Sequence, residues 1–169
     1  MRPGAWLGIV GVVAVATACG ASSKEIKSAK SAVYQCEYPV VWDAVHAEFT
    51  DKYSKVAEQS AEAGVLVSEW EWYDSSGARK RGMAGTVSVS PEDVIFRIAL
   101  QVIKDEASGG WKIMIDGSAQ RHVAGSGQMV TVKRGGGDEP AWVQTKIDNL
   151  WVVIYERLKQ YDTAAAAAK

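Results

Sequence analysis

The eleven-residue stretch from Val94 to Lys104 constrains the fold more than any other part of this chain. Val94, Phe96, Ile98, Leu100 and Val102 alternate with Ile95, Arg97, Ala99, Gln101 and Ile103. Successive strand side chains point to opposite faces, so this pattern predicts a strand with one dry face and one mixed face. Asp105 to Gly110 reads as a turn, and Trp111, Ile113 and Ile115 begin a return strand that runs on towards Val123. So short a link joins antiparallel neighbours, because a parallel pair needs a crossover of about a dozen residues or more.

The C-terminal part is helical in period. Val143, Ile147, Leu150, Trp151, Ile154, Leu158 and Tyr161 trace one stripe after Pro140, which predicts a helix over 140–161. Trp142, Val152, Val153 and Tyr155 widen that stripe, so the helix is expected to be deeply packed or partnered on a second face. A shorter helix is predicted over 39–52, opened by Pro39 and carrying Val41, Val45 and Phe49 on one side. Strands are expected at 54–60, 65–73 and 86–90. Within 65–73, Leu66, Trp70 and Trp72 share one parity, and Val67, Glu69 and Glu71 take the wetter side. Residues 74–82 form a polar turn, and 125–140 a glycine-rich loop around a short strand at 129–132. The expectation is an α+β domain over 33–161, with an antiparallel sheet of about four to six strands covered by the long C-terminal helix.

The N-terminus says where such a domain works. Arg2 precedes the apolar run Ala5 to Ala18, AWLGIVGVVAVATA, which ends on small residues directly before Cys19. A charged start, a short apolar run and small residues at its end mark a secretory signal peptide, over 1–18 here. The run is short for a membrane span, which needs about 20 apolar residues. Ala16-Thr17-Ala18-Cys19 resembles the lipobox of bacterial lipoproteins, with Ala16 where that family most often has Leu. The resemblance implies that Cys19 becomes the mature N-terminus and carries diacylglycerol and an acyl chain such as palmitate. Gly20 and Ala21, with no aspartate, resemble the sorting default for the outer membrane, periplasmic face. Residues 19–32 then read as a lipidated start and a tether, about twelve flexible residues holding the domain ~20 Å from the membrane. Residues 162–169 read as an alanine-rich tail.

Composition narrows the function classes. A formal net charge of −1 without a basic or acidic tail gives no footprint for nucleic acid. There are two histidines, His46 and His122, and neither has the spacing of a zinc site. No GxSxG elbow, P-loop or dinucleotide fingerprint is present. The glycines at 125–127 and 135–137 read as turns, since no helix follows the first and Asp138 and Glu139 follow the second. Glu69 and Glu71, about 7 Å apart along a strand, read as solvated charges. With Cys19 acylated, Cys36 is unpaired and reads as a small apolar group, because Glu37 beside it opposes a thiolate. No catalytic residue, metal site or cofactor follows, and the chain is not expected to be an enzyme.

Aromatic residues offer the better lead. Of seven tryptophans, Trp111 and Trp151 have apolar neighbours at the right period and read as core. Trp70 and Trp72 alternate with glutamates beside a loop containing Arg79, Lys80 and Arg81. Aromatics and arginine dominate binding energy at interfaces, so Trp70, Trp72, Arg79 and Arg81 form the candidate partner surface. The segment YPVVWDAVHAEFTDKYSKV, followed by AEAGVLVSEWEWYD, is similar to the small helix-grip domains of bacterial envelope lipoproteins, the BamC/NlpB-type component of the outer-membrane β-barrel assembly machine among them. It also resembles the opening of START-type helix-grip domains. That resemblance implies a binding or scaffolding role with an envelope protein as partner. The alternative expectation is a carrier or sensor for a small hydrophobic ligand, with a cavity between sheet and C-terminal helix.

Overall fold

The computed structural model describes residues 21–53, 55–81, 88–123 and 125–163. In chain order they form α1 (Ser23–Ser31), α2 (Tyr38–Lys52), β1 (Val56–Ser60), β2 (Val65–Ser68), β3 (Glu71–Tyr73), β4 (Val94–Lys104), β5 (Trp111–His122), β6 (Met129–Thr131) and α3 (Ala141–Leu158). A 3-10 turn at Lys159–Tyr161 continues α3. The class is α+β, as expected. The sheet has the order β1-β2-β4-β5-β6, and β3 pairs farther along β4 on the same side as β2. Every pairing is antiparallel. Of the strand expected at 86–90, residues 86 and 87 lie outside the described residues, and 88–90 is irregular.

The β4–β5 hairpin pairs without a slip from Val94↔Arg121 to Lys104↔Trp111. Its inward residues, Phe96, Ile98, Leu100, Val102 and Ile113, are buried against Ile147, Leu150, Trp151 and Ile154 of α3. Gly117 lets a side chain of the helix come close to the sheet. A Cβ there would sit 2.7 Å from Ile147 Cδ1 and 2.7 Å from Phe96 Cε2, below any normal carbon contact. Val41, Val45 and Phe49 of α2 complete the same core.

One register break reverses a face expected from the sequence. Val67 pairs with Ala99, but Glu71 pairs with Phe96. The outer strand therefore spends one residue more than β4 across this interval, as a β-bulge does. Ser68 is buried there, and its Oγ accepts the N–H of Ile98 at 3.0 Å. The extra residue flips the parity. Leu66 points into the core, while Trp72 pairs with Ile95 on the outer face and Glu71 turns inward beside Tyr73. Leu66 and Trp72 thus do not share a face, because a one-residue insertion inverts every side chain after it.

The expected tether is folded from residue 23. Ser22 and Glu25 form a capping box: Ser22 Oγ accepts from the Glu25 N–H, and the Glu25 carboxylate accepts from the Ser22 N–H at 2.8 Å. Two orphan donors of a helix start are thereby satisfied. Ala29 is buried, and Lys30 pairs with Asp148 of α3 at 2.6 Å. α1 and α2 are the partners that the broad surface of α3 demanded. The supposed tail also begins inside the domain. Asp162 is buried, bridges to Tyr34 and accepts the Val33 N–H, while Tyr34 bridges in turn to Trp111. Residues 164–169 lie outside the described residues.

Candidate functional site

Among the described residues, the helices cover one face of the sheet and no element covers the other. Register assigns Val65, Val67, Trp72, Ile95, Ala99, Ile103 and Met114 to that outer face. Met114 is 55% exposed, and Val65, Val67, Trp72 and Ile95 are half-buried. At one end the face is aromatic. The Arg97 guanidinium sits 4.6 Å from the Trp70 ring centre, and Trp72 stacks on His122 at 5.8 Å with an 11° tilt. Both indoles are half-buried, neither lost in the core nor free of support. The Arg97 cation over the Trp70 face helps hold that ring in place.

At the other end the face opens into a groove of about 950 Å³ that reaches the edge of β5. Val65, Ala99, Ile103 and Met114 of the outer face and Leu100, Ile113, Ile115 and Trp151 of the helix side give it an apolar lining, so it takes in both sides of the sheet at that edge. Its charged rim is internally balanced: Lys112 pairs with Asp105 at 2.6 Å, Lys30 with Asp148, and Arg134 with Asp116.

The four candidate surface residues are not brought together. Trp70 and Trp72 lie on the outer face, whereas Arg79 reaches to the helix side and pairs with Glu71 at 2.9 Å. Lys80 is held by the buried Asp93 at 2.5 Å, so the basic run Arg79-Lys80-Arg81 is largely neutralised, with Arg81 exposed. The partners that the sequence leaves unmarked on the outer face are Arg97 and His122, both at outward positions of the two longest strands. The alternation of β4 already pointed Arg97 outwards.

The other residues weighed for chemistry stay apart. Glu69 is exposed beside Lys55 at 3.7 Å, and the bulge turns Glu71 to the opposite side, so they form no carboxylate pair. His46 lies near Trp42 on α2, and His122 lies on the outer face. Cys36 is a free, half-buried thiol whose pKa is pushed up by burial, which disfavours the thiolate. Cys19 lies outside the described residues. Among the described residues, no group of His, Cys, Asp and Glu is arranged to hold a metal ion, and no helix is long and apolar enough to cross a membrane. No protein-family model and no curated protein sequence matches the chain.

Proposed function

We propose that the chain is an outer-membrane-anchored bacterial lipoprotein whose α+β domain is a non-catalytic binding module for an envelope protein. The observation that carries this reading is the open sheet face, where Trp70 and Trp72 stand half-buried in line with Val67, Ile95 and Met114. A sheet face shielded from the core yet lined with tryptophan and aliphatic side chains gains most when a partner covers it. The runner-up, a carrier with a cavity between sheet and α3, is opposed at Gly117, where there is no room for a methyl group, and would have to use the end of the groove lined by Leu100, Ile113, Ile115 and Trp151.

The anchor and the fold together set the geometry. With α1 starting at Ser23, two residues, Gly20 and Ala21, separate a lipidated Cys19 from the cap at Ser22, a span of three residue-to-residue steps. Fully extended, they reach only about 10 Å. The domain therefore lies against the membrane rather than on a long tether, and its partner is one that meets it at that surface. Labelled palmitate fed to cells making this chain tests the anchor. Incorporation that disappears in Cys19→Ser agrees with the reading; an unlabelled wild-type protein contradicts it.

A further inference from the structure

Lys146 carries three N–H donors that meet no acceptor among the described residues. It stands one turn after Trp142 on α3, half-buried, with Nζ 4.7 Å from the Tyr73 ring centre and 5.8 Å from that of Trp142. The nearby carboxylate, Glu71, is engaged by Arg79 and by the Tyr73 hydroxyl at 3.0 Å. Burial and the charge of Arg79 hold the Lys146 ammonium below the usual lysine range, with Glu71 opposing. Cation–aromatic contact offsets part of the cost of partly burying a charge, but an aromatic face supplies no lone-pair acceptor, so the N–H groups remain available to one that enters the cleft.

These N–H groups face a cleft of about 350 Å³ lined by Lys52, Tyr53, Tyr73, Arg79, Lys146 and Asn149. The cleft gathers the C-terminal end of α2, strand β3, the turn after it and α3, on the helix side of the sheet and away from the outer face. Lys52, Arg79 and Lys146 set against Glu71 leave two positive charges in excess. Neutral donors complete the lining. The Tyr53 phenol, pushed up to about 12 by burial and then by Glu71, stays protonated, and Asn149 supplies an amide. A carboxylate would leave one cation uncompensated, whereas a phosphate monoester dianion matches both the charge and the number of donors.

We propose that this cleft is a binding site for a phosphate dianion, either free or as the terminal monoester of a larger molecule. The site does not rest on the lipid anchor or on the outer-face reading. The volume accommodates the phosphate and the first atoms of the group that bears it.

Calorimetric titration of the full chain with inorganic phosphate at constant ionic strength is the test. Saturable binding near or below about 1 mM is expected, about tenfold weaker in Lys146→Gln and severalfold weaker in Lys52→Gln, an exposed change that spares the core. Acetate should bind more weakly than phosphate. A second arm compares phosphatidylcholine vesicles with and without phosphatidic acid. Binding of free phosphate assigns a small phosphorylated ligand, and a gain seen only with phosphatidic acid, lost in Lys146→Gln, assigns a headgroup. No binding in either arm overturns the proposal, as does phosphate binding that neither lysine variant alters. Should Lys146→Gln fail to give a native circular-dichroism spectrum, Lys52→Gln and Asn149→Ala decide by the same criterion.

Discussion

Ser68 Oγ accepts the backbone N–H of Ile98 at 3.0 Å, at the point where β2 ends and β3 has not yet begun. A side chain thus replaces a ladder bond, and the extra residue it accommodates turns Trp70 and Trp72 to the outer face. Ser68→Ala leaves that N–H buried without a partner. A loss of about 1–3 kcal/mol is expected, read as a lower urea midpoint at unchanged slope, with Ser68→Thr retaining most of the stability.

At Gly117 the sheet backbone lies close under Ile147 of α3. Gly117→Ala drives a methyl into Ile147 Cδ1 and the Phe96 ring, and overpacking of this kind costs about 1–3 kcal/mol. Because one of the two neighbours is the end of an aliphatic chain, the double variant Gly117→Ala with Ile147→Val should recover part of that loss. A non-additivity below about 0.3 kcal/mol in the double-mutant cycle would mean the two sites do not touch.

Tyr34 holds a buried hydroxyl with no hydrogen-bond partner among the described residues. Removing an unsatisfied polar atom removes its burial cost, so Tyr34→Phe is expected to be neutral or stabilising at pH 7. A clear destabilisation by denaturant melts would contradict the placement.

Alkaline pH should unfold the domain. Burial raises the phenols of Tyr34, Tyr53 and Tyr73, that of Tyr53 to about 12. Raised folded-state values mean that the unfolded chain releases its protons first, from about pH 10. The stability these groups contribute is complete below pH 10 and is lost as pH rises towards their folded values, at up to about 1.4 kcal/mol per pH unit for each tyrosine. Lys146, lowered in the fold, has the opposite slope in the window just below its ordinary value, but it is one group against three. Denaturant midpoints between pH 9 and pH 12 should fall, and Tyr53→Phe should flatten the curve.

Periodicity made the core legible. Val94 to Val102 alternate because one face of β4 is dry, and Ile147, Leu150, Trp151 and Ile154 repeat because α3 lies along that face. Two features escaped the periodic reading for physical reasons. The bulge at Ser68 is an insertion of one residue whose only local mark is a serine, and no alternation rule can place it. α1 has almost no apolar stripe, since Ala29 alone is buried; its mark is the S-x-x-E capping box at Ser22 and Glu25. The cleft around Lys146 had no local mark at all, because its lining comes from four separated stretches of chain that only the fold assembles.

α1 should melt separately if its cap is removed. Ser22→Ala costs helix start stability of about 1 kcal/mol, and α1 is held to α3 chiefly through Ala29 and the Lys30–Asp148 pair. Faster amide exchange confined to 23–31 is the expected result. Exchange that accelerates across α3 as well would mean that α1 is not a separate layer.

The central claim is that the outer sheet face meets another envelope protein, and photocrosslinking in intact cells tests it most directly. A photoreactive amino acid is placed at Trp72 or at Met114, with a third placement at Glu156, exposed on α3, for comparison. The account predicts one discrete protein adduct shared by the positions 72 and 114 and absent from position 156. Adducts from position 156 alone, or none from either outer-face position, would contradict it.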